Sequence, residues 1–187
     1  MYRCLIANRG EIAVRIIRAC RELGIETVAI YAKGDEASLH VSLADQAICI
    51  GEANPLDSYL NIERIIGAAE LSGANAIHPG YGFLSESTTF AEKVEENDIH
   101  FIGPNKKTME LMGDKITARQ TVDAAGVPVI PGSKDAVNNV SEIEKLAEDI
   151  GYPVVLKAAS GGGGKGIRIV KDPADLEKSL KEAQSEG

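Results

Sequence analysis

One stretch decides the second half of the fold: from Pro153 to Val170 the chain reads PVVLKAASGGGGKGIRIV. The apolar ends predict two short strands, and the four consecutive glycines predict a loop between them. Because glycines lose more backbone entropy on ordering than other residues, such a run suits a place where the backbone must approach another group closely. Backbone N–H groups that face a polyphosphate meet this condition. Lys157 enters the loop and Lys165 lies within it, so the stretch predicts a nucleotide-binding flap.

Two better-known phosphate motifs do not fit this stretch. A Walker P-loop would need Gly at position 159 and Ser or Thr at position 166, where the chain has Ala159 and Gly166. Gly161, Gly163 and Gly166 match G-x-G-x-x-G, but the dinucleotide fingerprint needs a helix next, and a strand-like segment follows here. The order strand, glycine loop, strand resembles instead the flap that covers ATP phosphates in kinase-type sites. A mobile surface hairpin without a ligand is the remaining alternative.

Strand-like and helix-like segments alternate through the first hundred residues. Apolar periodicity predicts helices after the first and third of five strands, and a polar helix is predicted over about residues 87–97, after the fourth. The predicted strands are residues 3–7, 27–31, 47–50, 76–78 and 100–102. Such alternation with short connections favours parallel strands, right-handed crossovers and helices on both faces of the sheet. The sequence therefore predicts an α/β fold.

The pattern changes after Pro104, where two short helical stretches follow the last strand. We place a domain boundary there and divide the chain into residues 1–112 and 113–187. The second helical stretch begins at Lys115, where a helix N-terminus and an ammonium group could together face an anion. Lys115 is therefore a second candidate phosphate contact.

Two further helix starts are predicted in the second domain. Ser141 and Glu144 stand at the spacing of a capping box. Asp172 and Pro173 are the residues expected at the N-cap and first positions of a helix. Both signals predict helices that flank the glycine-rich hairpin.

Charge and composition exclude several classes of protein. With 20 Lys and Arg against 28 Asp and Glu, the net charge is −8, whereas proteins that neutralise nucleic-acid phosphates are normally basic. No apolar run approaches the ~20 residues that cross a bilayer, and the first apolar stretch is too short for a signal peptide. Cys4, Cys20 and Cys49 show no paired spacing and are expected to be reduced and buried. We expect a cytoplasmic protein that binds neither nucleic acid nor membranes.

Several segments, taken in order, closely resemble the biotin carboxylase family of ATP-grasp ligases. The segments are 7–13, 58–61, 78–86, 101–104, 111–115, 126–128 and 151–153, followed by the glycine flap. The resemblance runs through nearly the whole chain, and the ordered set is more specific than any one motif. It implies a Rossmann-like pre-ATP-grasp domain, then the beginning of an ATP-grasp domain with a glycine-rich β-hairpin lid.

The resemblance implies ATP-dependent carboxylation of biotin held on a carrier protein. Bicarbonate would attack the γ-phosphate of ATP to give carboxyphosphate, and the carboxyl group would pass to the ureido nitrogen of biotin. The implied cofactors and partners are ATP, Mg²⁺, bicarbonate, biotin carboxyl carrier protein and a carboxyltransferase. Acetyl-CoA, propionyl-CoA, pyruvate and urea carboxylases share this module, so the acceptor stays open; acetyl-CoA carboxylase would place the chain in fatty acid biosynthesis.

By the same resemblance, Lys115 and Lys157 would contact ATP phosphates, and Gly163 and Gly164 would donate lid N–H groups. Lys165 stands where many relatives carry Arg, which keeps the charge but loses the bidentate fork. Family members continue beyond residue 187, and the Mg²⁺ carboxylates and the bicarbonate and biotin contacts are expected in that later part. We therefore expect no metal ligand or catalytic residue in these 187 residues, and no turnover by this chain alone.

Two other functions stay open. A carbamoyl-phosphate synthetase-like ligase would also form carboxyphosphate, although segments 8–11 and 78–86 favour biotin carboxylase. A non-catalytic dimerisation module is the other: Arg18 and Glu22 lie away from the apolar stripe of the first helix and could pair across a two-fold axis. Biotin carboxylases often form homodimers, although a solvated helix face is the commoner explanation of such charges.

His78, before a Pro-Gly turn, is expected to be structural rather than catalytic.

Overall fold

The structure is a computed structural model that describes residues 2–133, 135, 137, 139–157 and 166–186. The strands in these ranges are β1 Arg3–Ile6, β2 Glu26–Ala32, β3 Gln46–Gly51, β4 Ala76–His78, β5 His100–Phe101, β6 Val154–Lys157 and β7 Ile167–Val170. The helices are α1 Gly10–Glu22, α2 Leu39–Leu43, α3 Ile62–Ser72, α4 Thr88–Glu96, α5 Lys106–Gly113, α6 Lys115–Ala124, α7 Val140–Ile150 and α8 Leu176–Glu186. The chain divides into two compact units, Met1–Glu110 and Leu111–Gly187.

The first unit is built on a five-stranded parallel sheet with the strand order β3-β2-β1-β4-β5. Successive side chains of a strand point to opposite faces, and β1 shows this clearly. Cys4 and Ile6 pack with α1, whereas Leu5 packs in a separate core with α3 and α4. Helices therefore cover both faces of the sheet, which confirms the predicted α/β fold.

Local sequence fixes the ends of α3, which packs on one of these faces. The Asn61 side chain accepts the N–H of Arg64 at 3.1 Å and caps the first turn. Gly73 ends the helix in the left-handed region at φ +67°, where a residue without a Cβ is not strained. Ile65 and Ala69 lie on the buried face between these ends.

The second unit pairs β6 with β7 as an antiparallel hairpin. Its core is a cluster of buried side chains from α7, β7 and α8. The members are Ile143, Ala147, Val170, Leu176 and Leu180. The structure gives no test of the boundary drawn at residues 112 and 113, which stays a prediction.

Two details differ from the sequence-based expectations. The capping box at Ser141 is wrong, because α7 begins at Val140, two residues earlier than an N-cap at Ser141 would place it, and the Asn139 side chain accepts the Ser141 N–H at 3.0 Å. The expectation that all three cysteines are buried is wrong for Cys49, which is exposed because it lies on the edge strand β3. Asp172 does cap the turn that follows it, by accepting the Ala174 N–H at 2.9 Å, but that turn is a 3₁₀ turn ahead of α8.

Candidate nucleotide-binding site

The hairpin of β6 and β7 carries the first candidate lysine. Lys157 is the last residue of β6 and lies directly opposite Ile167, the first residue of β7. The predicted lid residues Gly163, Gly164 and Lys165 lie outside the described residues. Their predicted contacts with ATP therefore stay predictions.

The two faces of this hairpin differ in what they contact. Val154 and Leu156 pack against the core cluster of the second unit. Val155 and Ile169 lie opposite each other on the other face and are 51% and 65% exposed. Strand alternation puts Lys157 on this outer face as well, where it is exposed. The hairpin thus presents an open apolar surface with an ammonium group at the end next to the flap.

This combination suits a nucleotide. Ligand sites are lined mostly by apolar side chains, with a few charged or polar groups that fix orientation. An apolar surface such as that of Val155 and Ile169 can receive the flat face of a base. The ammonium group of Lys157 can form a charge-assisted hydrogen bond with a phosphate.

The second candidate, Lys115, lies at the start of α6 and is exposed. Asp114, the residue before it, is the N-cap, and its Oδ1 accepts the Thr117 N–H at 2.7 Å. Hydrogen bonds from Thr117 hold the pKa of the Asp114 carboxyl below its usual range. Because this carboxylate already engages the helix N-terminus, the anion contact predicted there falls to the Lys115 ammonium group more than to the helix amides.

In the first unit, the carboxyl ends of β1 and β4 are tied together by one side chain. Open α/β sheets usually hold ligands at such a point, where the strand order reverses. Here the Asn8 Nδ2 donates to the carbonyls of Pro79 at 2.8 Å and Tyr81 at 2.7 Å. A Cβ on Gly80 would come within 2.8 Å of the same Asn8 Nδ2. The Asn8 side chain therefore holds together the segments that follow β1 and β4.

Next to Asn8 lies a cluster that we call the arginine cluster: Arg9, Asp35, Tyr59 and Phe83. The Arg9 guanidinium carbon stands 4.9 Å from the Tyr59 ring centroid and 5.6 Å from that of Phe83, and the two rings stack at 5.2 Å. Arg9 Nη1 forms an ion pair with Asp35 at 3.2 Å. The Tyr59 hydroxyl donates to Asp35 at 2.6 Å and accepts the Ala32 N–H at 3.0 Å.

These contacts shift the pKa values of two cluster members in opposite directions. The hydrogen bond from Tyr59, followed by the contact with Arg9, lowers the pKa of the Asp35 carboxyl. Burial, followed by the same hydrogen bond with Asp35, raises the pKa of the Tyr59 hydroxyl. Asp35 is thus an anion and Tyr59 a neutral donor near neutral pH. Arg9, Tyr59 and Phe83 lie within the family segments, but no local sequence pattern indicates that they meet Asp35.

Two polar side chains complete this edge of the sheet. The Tyr81 hydroxyl donates a hydrogen bond to the Glu11 carboxylate. The His78 Nδ1 accepts the Gly80 N–H at 3.0 Å, and burial lowers the pKa of the imidazole. A neutral ring that accepts a backbone N–H in the turn supports the structural role expected for His78.

The residues predicted for a dimer interface lie on the outside of α1. Arg18 and Glu22 are exposed, on the side of the helix away from the buried Ile17 and Cys20. No group of three or more His, Cys, Asp or Glu side chains that could hold a metal ion occurs among the residues that the structure describes. No helix in those ranges has both the length and the apolar character needed to cross a bilayer.

Both halves of the chain match known families. Residues 1–109 match the sequence model of the biotin carboxylase N-terminal domain. Residues 114–187 match that of the ATP-binding domain of the carbamoyl-phosphate synthase L chain. Biotin carboxylase 1 of Bacillus subtilis is 54% identical over 184 residues, which are 98% of this chain and 41% of that protein.

Solved structures give the same result. A biotin carboxylase–beta-gamma-ATP complex from Campylobacter jejuni is 51% identical, with a TM-score of 0.91 over 98% of this chain and 41% of that one. The biotin carboxylase domain dimer of the Hydrogenobacter thermophilus 2-oxoglutarate carboxylase, in complex with MgADP, ADP and bicarbonate, is 53% identical, with a TM-score of 0.87 over 98% and 40%. The chain thus spans about two fifths of the length of these relatives.

Proposed function

Because the chain belongs to the biotin carboxylase family, we propose that its second unit binds ATP for the carboxylation of biotin by bicarbonate. The observation that carries this proposal is the outer face of the β6–β7 hairpin, where Lys157 stands at the end of an exposed apolar surface. The relatives described as complexes with ATP, ADP or bicarbonate support the same ligands.

In the proposed reaction, a bicarbonate oxygen forms a bond to the γ-phosphorus of ATP as the bond to the β-phosphate oxygen breaks. The products are carboxyphosphate and ADP, and the carboxyl group then replaces a proton on the ureido nitrogen of biotin with release of phosphate. Phosphoryl transfer is accelerated mainly by positioning and by neutralising negative charge. Lys115 and Lys157 would each contribute a positive charge to the phosphates, and Gly163, Gly164 and Lys165 would cover them.

Mg²⁺ is the expected companion of the phosphates, and it takes oxygen ligands that are largely carboxylates. The carboxylates that would hold Mg²⁺ beside the phosphates are proposed to lie outside these 187 residues. Contacts with bicarbonate and with carrier-bound biotin are likewise proposed for segments that correspond to the part of the longer relatives that this chain does not cover.

The partners and location follow from the same proposal. A biotin carboxyl carrier protein would supply biotin, and a carboxyltransferase would use the product. A homodimer is proposed because one similar structure is described as a dimer, with Arg18 and Glu22 as the proposed contacts. A cytoplasmic location stays a prediction.

We expect Lys157→Ala to weaken ATP binding roughly tenfold, because a hydrogen bond to a charged group is lost. The measurement is a calorimetric or NMR titration of the chain with ATP. Lys178→Ala is the matched control, since Lys178 is an exposed lysine on α8 of the same unit. Equal affinities for Lys157→Ala and the unchanged chain, or an equal loss for Lys178→Ala, would contradict the proposed site.

A further inference from the structure

The start of α6 depends on a local cap more than on core packing. No residue of α6 is fully buried, and residues 116–119 of its first turns are half-buried. Asp114 alone separates it from α5, with an extended backbone at φ −85° and ψ 123°. Helices without strong tertiary packing are marginal, and their ends depend on caps. The Asp114 side chain, which accepts the Thr117 N–H at 2.7 Å, is the cap of this helix.

Lys115 is the first residue of that turn, so its backbone takes helical geometry only when the turn forms. If the cap is lost and the turn frays, the backbone that carries the Lys115 side chain samples a wider volume. A charge that must be confined again on binding contributes less to affinity. Lys157 differs in this respect, because backbone pairing with β7 holds its position.

We propose that Asp114 is a positioning residue for ATP binding: its cap fixes the first turn of α6 and thereby holds Lys115 at the phosphates. The inference rests on the proposed function, in which Lys115 contacts ATP. It assigns to Asp114 no contact with the nucleotide. The carboxylate itself is a negative charge beside the proposed phosphate site, so its value to binding lies in the hydrogen bond and not in its charge.

This distinction leads to a test with two variants at one position. Asp114→Ala removes the cap, whereas Asp114→Asn keeps a good N-cap side chain and removes the negative charge. We expect Asp114→Ala to weaken ATP binding roughly threefold to tenfold, which is the size of a lost cap expressed as an equilibrium constant. We expect Asp114→Asn to bind ATP at least as tightly as the unchanged chain. Affinity is measured by titration with ATP at millimolar concentrations.

Asn139→Ala is the matched control, because Asn139 caps α7 of the same unit through the Ser141 N–H. It removes a helix cap of the same kind at a position that does not precede a proposed phosphate contact. We expect it to lower the stability of the second unit while leaving ATP affinity unchanged at temperatures where the protein stays folded.

The outcomes separate this inference from the proposed function. Weaker binding by Asp114→Ala, rescued in Asp114→Asn and absent in Asn139→Ala, supports the positioning role. If Lys115→Ala weakens binding but Asp114→Ala does not, or if Asp114→Asn loses as much as Asp114→Ala, the positioning role is overturned and the proposed site stands. If the unchanged chain takes up no ATP, or if Lys115→Ala binds like the unchanged chain, the role assigned to Lys115 fails and this inference fails with it.

Discussion

The arginine cluster shows how single side chains order the carboxyl edge of the first sheet. Its members come from chain segments that follow β1, β2 and β4 and from the turn before α3, so each contact ties two of these segments together. The ion pair and the hydrogen bond satisfy Asp35, whose side chain is only 27% exposed. A partly buried carboxylate without these partners would be costly, so Asp35 depends on both Arg9 and Tyr59.

Protonation of Asp35 is expected to make the stability of the first unit depend on pH. The pKa of Asp35 is lower in the folded chain than its ordinary value of 3.8, so ionised Asp35 stabilises the fold above that pH. As the pH falls below 3.8 toward the folded-state pKa, this contribution is lost. We expect Asp35→Asn to reduce the free energy of unfolding by about 1–3 kcal/mol near pH 7, with a smaller difference from the unchanged chain near pH 3.

Urea unfolding over a series of pH values measures this difference. Glu70→Gln is a suitable control, because it removes an exposed carboxylate of α3 in the same unit. If the curves of stability against pH for Asp35→Asn and the unchanged chain run parallel down to pH 3, the assignment to Asp35 is wrong.

Individual residues also mark the limit of what sequence could predict. Lys157 at a strand end and Lys115 at a helix start followed from local patterns, and both positions are found in the structure. The pair of Arg9 and Asp35 could not be found in this way, because 26 positions separate them and only the sheet brings them together. The lid glycines were predicted from the same stretch as Lys157, yet their contacts stay predictions.

At the scale of elements, strand alternation and helical periodicity predicted the five-stranded sheet and most of its helices. Helix α2 was missed, since its five residues are too few to show a period. The start of α7 was misplaced because two polar residues close together, Asn139 and Ser141, can both act as caps. Local signals of equal strength are resolved only by the surrounding fold.

Two glycines of the first unit are expected to respond in opposite ways when they are replaced by alanine. Gly51, at the end of β3, has φ +149°, and a Cβ there would overlap the Asp57 carbonyl oxygen and the Arg64 guanidinium. Gly67, inside α3, has open space around it. We expect Gly51→Ala to destabilise the fold by several kcal/mol. Backbone strain accounts for about 1–3 kcal/mol of this loss, and the overlap adds to it. We expect Gly67→Ala to stabilise it by about 0.5–1 kcal/mol, because Ala favours a helix interior.

Chemical denaturation of the two variants and of the unchanged chain measures whether each substitution lowers or raises the free energy of unfolding. Each variant serves as the control for the other, since the substitution is the same and only the site differs. A Gly51→Ala protein of unchanged stability would show that the end of β3 can shift to accept a side chain.

At the scale of the whole molecule, the two units have cores of different size. In the described ranges, the first unit holds clusters of 19 and seven buried apolar residues, whereas the second holds one of five. Apolar burial is the main stabilising term in folding, so the second unit should open more readily than the first. A ligand that binds only the folded second unit would then have its largest effect on that opening.

We therefore expect saturating ATP to slow hydrogen exchange in peptides from residues 111–187 and to leave those from residues 1–110 unchanged. At 100 times the dissociation constant, binding adds about 2.7 kcal/mol to the stability of the form that binds, which lowers the population of the open form about a hundredfold. Lys157→Ala should reduce this protection at the same ATP concentration, whereas Lys178→Ala should keep it. Equal protection of both units by ATP would show that they open together or that ATP binds elsewhere, and either result would contradict a site confined to the second unit.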